Sequence, residues 1–322
     1  MSEKDHLIAF GPVPSRRLGQ SMGINNIPPK VCSYSCVYCQ VGKTSRLRVS
    51  RNEYFRPKEL VNEVETQVEQ AKQRGERIDY LTFVSDGEPT LDINIGIEIE
   101  TLRSLGIQIA VITNSSFLWD ESVRNDLLDT DLVSVKIDAV VEDTWREINR
   151  PHGSLHLPRI LSGILEFSKE FNGKLITESM YTRRSALKID EVKMTADFIA
   201  EVNPYKSYIS IPTRPPAEKW VKSPSESELF NVFVQYSERG IGVEYLIGYE
   251  GNEFAFTGDA VYDLLSITSV HPMREEAVRA YLKKAHKNWD AVESLLKDGK
   301  LKEIFYSSDK FFLRNHGTKK TS

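Results

Sequence analysis

The three cysteines of this chain lie in one short loop, and their spacing limits what the chain can bind. Cys32, Cys36 and Cys39 follow a C-x3-C-x2-C pattern within CSYSCVYCQ, and they are the only cysteines among 322 residues. Thiolate sulfur is a soft ligand for iron–sulfur clusters, copper(I) or zinc. A [4Fe–4S] cluster normally takes four thiolates, so three would leave one iron open to a small molecule. The spacing therefore predicts an open [4Fe–4S] cluster.

Zinc is the alternative metal for this loop. A structural zinc site usually combines two paired ligand groups, and the chain has no second pair of cysteines. His152 and His156 are separated by three residues, as paired ligands often are, but they lie far along the chain. We favour the cluster on the cysteine spacing and keep zinc as the alternative.

The cysteine loop resembles that of the radical S-adenosylmethionine (SAM) superfamily, with an aromatic residue, Tyr38, before the last cysteine. The resemblance covers about residues 10–212. It implies that the open iron chelates the amino and carboxylate groups of SAM. It also implies that an electron from the cluster cleaves the sulfonium to methionine and a 5′-deoxyadenosyl radical. The leader GPVPSRRLG resembles the start of a small subgroup of these proteins from archaea and anaerobic bacteria.

Composition excludes several other classes of protein. The chain is 40% hydrophobic and 27% charged with a net charge of −4, which is ordinary for a globular protein and not typical of a general nucleic-acid binder. No apolar run approaches the length of a membrane span, and the start MSEKDHLIAFG lacks a signal-peptide core. Cysteines clustered as ligands argue against disulfides, so we expect a reducing compartment, the cytoplasm, and no membrane partner.

Six apolar, β-prone segments alternate with helical patterns through the first two thirds of the chain. A full TIM barrel needs eight such units. We therefore expect an α/β fold, a partial and open (β/α)6 TIM-like barrel over residues 1–214, which is also the usual radical SAM core. The six strands are predicted near residues 22–27, 80–84, 107–113, 132–138, 174–181 and 206–213.

The turn after the second of these strands carries the next motif. Gly87, Glu88 and Pro89 resemble the GGEP motif that holds the SAM amino group in the superfamily. Asp86 stands where the first glycine is usual, so the match is incomplete. Alone, a Gly-Glu-Pro sequence is usually just a turn, and its position one β–α unit after the cysteines gives it weight.

Polar residues at two further strand ends are candidate cofactor contacts. By resemblance, Thr113, Asn114 and Lys136 occupy positions that contact the ribose or carboxylate of SAM. In the segment LVSVKID, Ser134, Lys136 and Asp138 alternate with apolar residues and should face the barrel interior. A buried Lys–Asp pair is costly unless it contacts a ligand or a partner, so Asp138 joins the candidates. An internal salt bridge is the alternative.

The substrate candidates are charged residues in two separate segments. Arg16 and Arg17 form a pair that could clamp an anion. Glu178, Arg183 and Arg184 lie at the end of the predicted strand 174–181. Solvated surface charge is the alternative for each of them. No catalytic residue is assigned.

The last third of the chain differs in character. Residues 215–258 are predicted to bridge to a small module, 259–322, in which three helices and a hairpin resemble a winged helix. Residues 261–322 contain 12 Lys or Arg against 8 Asp or Glu. Arg279, Lys283 and Lys287 form a basic stripe on one helix, which is either a solvated face or a phosphate contact.

These observations predict a radical SAM enzyme with the [4Fe–4S] cluster and SAM as cofactors. No thiolates remain for a second cluster and no flavodoxin-like domain is visible, so an external donor of the ferredoxin or flavodoxin type should supply electrons. Residues 141–167 are similar to a helix of 4-demethylwyosine synthase, which modifies a guanine in tRNA, so a tRNA base is one substrate hypothesis. A peptide or protein side chain, and a redox-sensing regulator, are the alternatives.

Overall fold

The computed structural model describes residues 8–183, 187–246, 254, 259–270, 272–306 and 308–315. The substrate candidate Arg184 lies outside these residues. Across the described ranges, none of the helices combines the length and the apolar character that crossing a membrane requires.

The central element is an eight-stranded sheet. Its first strand, at one edge, is antiparallel to its neighbour, and the following strands are all parallel. In spatial order the strands are β1 (Ala9–Ser15), β2 (Gly19–Ile24), β5 (Tyr80–Phe83), β6 (Gln108–Thr113), β7 (Leu132–Lys136), β8 (Lys174–Met180), β9 (Lys206–Ser210) and β10 (Val243–Leu246). A separate two-stranded ladder pairs β3 (Val31–Cys32) with β4 (Arg46–Leu47).

Helices in the connections between the strands cover the outer face of the sheet. In the first of these helices, residues 57–73, apolar residues repeat at helical spacing. One face of the helix is therefore buried, while the glutamates face solvent. A proline at the first helical position begins it, and Gly75 follows its end at φ +69°. The helices are α1 (Pro57–Gln73), α2 (Ile95–Leu102), α3 (Glu121–Leu127), α4 (Glu142–Asn149), α5 (Leu157–Glu170), α6 (Ile189–Val202) and α7 (Glu226–Ser237).

Strand β7 shows how the sequence divides the two faces of the sheet. Val133 and Val135 join the large core under the helices, whereas Leu132 belongs to a small apolar cluster on the inner face. The inner cluster closes the end of the barrel where the parallel strands begin, and Leu18 from the β1–β2 turn completes it. The polar residues of the inner face therefore lie above this apolar floor, towards the carboxyl ends of the strands.

The expected partial, open α/β barrel is confirmed, with two additions. Strand β1 lies antiparallel at one edge, and β10 extends the parallel set beyond the six strands counted in the sequence. Strand β10 falls within residues 215–258, so the predicted bridging segment contributes to the same sheet. The division of the chain at residues 214 and 258 stays a prediction.

The C-terminal region packs on the outer edge of the barrel. Its apolar core includes Phe10 and Val13 of β1. The order of three helices and a hairpin is the one expected, with a short additional strand, and assignment to the winged-helix class stays a prediction. The elements are α8 (Ala260–Val270), β11 (Met273–Arg274), α9 (Glu275–Lys284), α10 (Asp290–Lys297), β12 (Leu301–Tyr306) and β13 (Asp309–Arg314).

Candidate functional site

The cysteine loop is held on two sides by backbone hydrogen bonds. On one side, the β3–β4 ladder is continued by the amide of Arg48, which donates to the carbonyl of Cys32 at 2.9 Å. On the other side, the loop runs beside residues 148–152: the amide of Val37 donates to the Ile148 carbonyl at 2.9 Å, and the His152 amide to the Ser33 carbonyl at 2.9 Å. The loop therefore has a fixed shape built from three separate stretches of chain.

All three thiols are partly buried, and two receive hydrogen bonds from asparagine side chains. Asn114 Nδ2 lies 3.5 Å from the Sγ of Cys32, and Asn149 Nδ2 lies 3.5 Å from the Sγ of Cys36. Burial raises the pKa of each thiol, that of Cys36 to about 12, and neighbouring cysteines add to the increase for Cys32 and Cys36. The thiolate form therefore needs a bound cation, and N–H donors aimed at the sulfurs are the groups that tune an iron–sulfur cluster.

These residues fit an iron–sulfur cluster better than a single ion. Cys36 and Cys39 are close enough to raise the pKa of the Cys32 thiol, and Cys39 also raises that of Cys36. Among the residues that the structure describes, no three or more His, Cys, Asp or Glu side chains converge on the position of a single metal ion, whereas each thiolate of a cluster binds a different iron. The zinc alternative, with His152 or His156 as a further ligand, is therefore not formed there. His152 Nδ1 instead lies 2.8 Å from the hydroxyl of Ser154.

The Gly-Glu-Pro turn packs directly against the cysteine strand. The amide of Lys30 donates to the Asp86 carbonyl at 2.9 Å, and the amide of Glu88 donates to the Val31 carbonyl at 3.2 Å. A Cβ on Gly87 would lie 1.7 Å from the carbonyl oxygen of Val31. Only glycine permits this approach, because the neighbour is backbone and cannot move aside alone.

The carboxylate of Glu88 organises two strand ends and is fully buried. Its Oε1 accepts hydrogen bonds from the amide and hydroxyl of Thr90, at 3.1 and 2.6 Å, and from the hydroxyl of Thr113 at 2.6 Å. Its Oε2 accepts from the amide of Asn114 at 2.7 Å. Burial raises its pKa, although these donors oppose the shift. The side chain is saturated by protein donors, which leaves the backbone of the turn for any ligand.

Two neighbours complete this turn. Pro89 is buried and begins a short 3-10 turn, and its carbonyl accepts a hydrogen bond from Asn26 Nδ2 at 3.0 Å. Asp86, which stands in place of a glycine, is also buried; burial raises its pKa to about 7, while Lys30 and Arg314 act in the opposite direction. The departure from the motif thus places an acidic group beside the cysteine loop.

Lys136 and Glu178 form an ion pair inside the barrel. Lys136 Nζ lies 2.9 Å from Glu178 Oε1 and 3.8 Å from Asp138 Oδ1. Arg17 reaches in from the β1–β2 turn and binds the other oxygen of Glu178. Burial would raise the pKa of Glu178, but the cations of Lys136 and Arg17 lower it overall. This is the internal salt bridge given as the alternative, with Glu178 as its main partner.

Asp138 links this ion pair to the cysteine loop. Its Oδ2 accepts hydrogen bonds from the hydroxyl of Tyr38 and from Asn149 Nδ2, the latter at 2.6 Å. Its Oδ1 accepts from the Met180 amide at 2.8 Å. Because Asn149 also contacts Cys36, one side chain connects the carboxylate with a thiol. The arrangement fixes the loop and leaves Asp138 no unused oxygen.

The predicted substrate residues separate into two groups. Arg17 and Glu178 are brought together in the barrel interior. Arg16 is exposed at the β1–β2 turn. Arg183 is exposed beyond β8, where its guanidinium lies 3.5 Å from Glu228 at the start of α7 and its backbone pairs with Lys222. Arg16 and Arg183 are not part of the interior network.

The sequence missed several residues that hold the site. Asn149 bridges Cys36 and Asp138, and Ser33 accepts a hydrogen bond from Asn114 Nδ2 at 2.8 Å. An asparagine at a helix end, or a serine between two cysteines, carries no periodic signal. The observed packing of residues 148–152 and of Asn114 against the loop reveals these roles.

A cleft opens at the carboxyl ends of β7 and β8, beside the cysteine loop. It encloses about 690 Å³, including space open to solvent. Tyr181 and Trp220 line it, and Trp220 packs in the same apolar cluster as Cys36 and Tyr38. Its charged lining is mostly acidic: Asp138, Glu147 and Glu191 against Lys188.

Residues 214–222 cross over the cysteine loop and border this cleft. Arg214 donates to the side chain of Gln40 at 2.6 Å, and the amide of Glu218 donates to the Val37 carbonyl at 3.0 Å. The carboxylate of Glu218 pairs with Lys43 and Arg150. This strap therefore holds the far side of the loop and limits access from solvent.

Comparisons with known proteins agree with this geometry. The family model of the Radical SAM superfamily matches residues 26–177. A UPF0026 protein of Methanocaldococcus jannaschii is 48% identical over 317 residues, which cover 96% of each chain. A UPF0026 protein of Helicobacter pylori strain J99 is 26% identical over 86% of this chain and 88% of its own.

Solved structures share the fold. A radical SAM methyltransferase from Sphaerobacter thermophilus has a TM-score of 0.54 at 13% identity, with 70% of this chain and 66% of that chain covered. Streptococcus suis SuiB bound to S-adenosylmethionine has a TM-score of 0.52 at 15% identity, with 69% of this chain covered and about half, 49%, of SuiB.

Proposed function

Because the chain belongs to the radical SAM superfamily, we propose that Cys32, Cys36 and Cys39 hold a [4Fe–4S] cluster at which the enzyme cleaves SAM reductively. The observation that supports this most is the docking of the Gly-Glu-Pro turn on the cysteine strand, where Gly87 admits no side chain. That contact supports the proposal because it brings the backbone of the Gly-Glu-Pro turn against the strand that carries Cys32.

The cofactors of the enzyme are SAM and the cluster. When bound, they supply one-electron cleavage of the sulfonium and a 5′-deoxyadenosyl radical that abstracts hydrogen from a substrate. The chain's own residues orient and shield this chemistry. Glu88 fixes the turn and the end of β6, Asn114 and Asn149 donate to the sulfurs, and the strap 214–222 restricts water. We also propose a cytoplasmic location, since unprotected thiolate ligands need a reducing compartment.

The substrate we propose is a neutral or cationic side chain of a peptide or protein. The cleft beside Asp138 supports this, because three carboxylates line it against the one cation Lys188, which pairs with Glu191 at 2.9 Å, and the remaining negative charge repels phosphate. The rings of Tyr181 and Trp220 provide an apolar wall, which suits the stem of a long side chain. Pockets with an apolar wall and a few charged groups are typical ligand sites.

A tRNA base remains the second candidate, because residues 261–322 carry an excess of Lys and Arg. The structure reduces the strength of this argument. Arg279 of the basic stripe pairs with Glu275 and lies over the Trp289 ring at 4.0 Å, so it is not available to a phosphate without rearrangement. Lys283 and Lys287 are exposed.

Anaerobic reconstitution followed by detection of 5′-deoxyadenosine with dithionite tests the proposed function. Cys36→Ala should abolish both the cluster absorbance and SAM cleavage, and turnover that survives this change would refute the assignment. Cell protein and bulk tRNA, added separately, should then distinguish the two substrates. We expect protein to increase the yield of 5′-deoxyadenosine, and tRNA binding that weakens steeply with salt would favour the second candidate.

A further inference from the structure

A short surface strand lies directly beside a proposed cluster ligand. Strand β4 pairs in parallel with β3, and Leu47 is the register partner of Cys32. Neighbouring strands are about 4.8 Å apart, and paired residues of parallel strands point to the same face. Leu47 is therefore one strand away from Cys32 on the same face of the ladder, which makes β4 a short route from solvent to the cluster.

The side chains of this strand are presented to solvent. Leu47 is 40% exposed, which is unusual for a leucine beside a buried loop. Arg46 and Arg48 flank it, are exposed, and form no ion pair within the ranges that the structure describes. We name Arg46, Leu47 and Arg48 the β4 patch.

Two other cations of the basic loop, residues 42–56, are used within the protein. Lys43 pairs with Glu218 at 3.0 Å, and the half-buried Arg51 pairs with Asp126 at 2.5 Å. The loop thus contains cations that hold the fold and two that face outward next to Cys32, while Arg56 is exposed farther along, just before α1. An outward pair of arginines around an exposed leucine has no structural role among the described contacts.

We propose that the β4 patch is the docking surface for an acidic, low-potential one-electron carrier protein. The proposal rests on the proposed function, since it concerns how the cluster is reduced. The carrier loses one electron and the cluster gains it, passing from the 2+ to the 1+ state, with no proton or bond transferred. That electron is the one then consumed in cleaving the sulfonium of SAM.

Charge and size favour a protein carrier over a nucleic acid at this surface. Redox encounters between proteins use small, transient interfaces, with opposite charges that speed association and a little apolar contact at the centre. Leu47 between two arginines has this composition. A phosphate backbone would instead need several cations in a row and would gain nothing from the exposed leucine.

The test compares two reductants on the same holoenzyme. The probes are reduced flavodoxin, an acidic flavoprotein, and dithionite, a small reductant that needs no docking surface. In the double variant Arg46→Glu/Arg48→Glu, we expect the flavodoxin-driven rate of 5′-deoxyadenosine formation to fall about tenfold or more at low salt. The dithionite-driven rate should stay within about twofold, because the thiols and the Gly-Glu-Pro turn are untouched.

The control carries the same change in charge at the opposite end of the barrel. Lys72 and Lys169 are exposed in the last turns of α1 and α5, and helix ends lie beside the starts of the following parallel strands. Lys72→Glu/Lys169→Glu should keep both rates. The milder variant Arg46→Gln/Arg48→Gln should show a smaller loss of the flavodoxin-driven rate. Its iron content should be unchanged, which separates a docking effect from misfolding.

Titration calorimetry of flavodoxin with the same variants gives a readout that does not depend on turnover. We expect the Kd to rise about tenfold in the Glu variant and to stay unchanged in the control. Flavodoxin binding that is unchanged in the Glu variant, or that weakens equally in the Glu variant and the control, would overturn the proposal. A Glu variant that loses tRNA binding but keeps flavodoxin binding would overturn it as well. Absence of cleavage with dithionite in the wild type would instead refute the proposed function, while the calorimetry would still decide the docking surface.

Discussion

Replacing Gly87 by alanine tests the contact on which the candidate site depends. The added Cβ would lie 1.7 Å from the carbonyl oxygen of Val31 and 2.8 Å from a methyl carbon of Ile27. Real Cβ atoms do not approach backbone this closely, so the turn and the cysteine strand must separate. Separation breaks the hydrogen bonds from Lys30 to Asp86 and from Glu88 to Val31.

The expected cost follows from these contacts. Two backbone hydrogen bonds contribute about 1 kcal/mol each, and forcing a methyl group into a packed contact costs about 1–3 kcal/mol. We therefore expect the free energy of unfolding to fall by about 3–5 kcal/mol. For a chain of this size, that corresponds to a decrease in Tm of about 4–7 °C.

Differential scanning calorimetry of the apoprotein and iron analysis after reconstitution measure the two consequences. Gly153→Ala is the matched control, because that glycine is exposed and an added Cβ meets nothing within 4 Å. Gly87→Ala should lower the Tm and also weaken SAM binding, measured by equilibrium dialysis, whereas the control should change neither. A Gly87→Ala protein with the stability and SAM affinity of the control would refute the reasoning.

Three further substitutions test single carboxylates or their partners. Glu88→Gln replaces one carboxylate oxygen by an NH2 group, which cannot accept a hydrogen bond from the protein donors around it. The free energy of unfolding should therefore fall by about 2 kcal/mol, and an unchanged urea midpoint would contradict this. Glu98 is buried with no hydrogen-bond partner in the described ranges, and burial raises its pKa, so the wild type should lose stability as pH rises above about 4.5. Glu98→Met should reduce that loss and raise the free energy of unfolding by about 2 kcal/mol at pH 8. Stability–pH curves that run parallel for the wild type and the variant would contradict this. Arg17→Met should cost about 2 kcal/mol at pH 7. Because the pKa of Glu178 is lowered, this difference should shrink as pH falls below about 4.5, and a constant difference would exclude the ion pair as its cause.

The sequence predicted features that depend on local pattern. Alternation in LVSVKID placed Lys136 on the inner face and the valines under the helices, and the structure agrees. The strands and the open barrel followed from short apolar segments between helices. These features need no knowledge of how distant parts of the chain align.

Features that depend on alignment between distant segments were not predicted. The partner of Lys136 is chiefly Glu178, because the register of β7 with β8 pairs these two residues directly. Periodicity says which way a side chain faces but not which residue stands opposite. Asn149 and the approach of Gly87 to Val31 are of the same kind, since each joins segments whose sequences give no sign of one another.

The pairing of the cysteine loop with residues 148–152 has a consequence for the biogenesis of the enzyme. During synthesis, the ribosome releases the thiols long before Asn149 and the strap, so the nascent loop lacks both its amide donors and its cover. Insertion of iron and sulfide into a stable holoprotein must then wait until translation has passed the strap, and the uncovered thiols are open to oxidation in that interval.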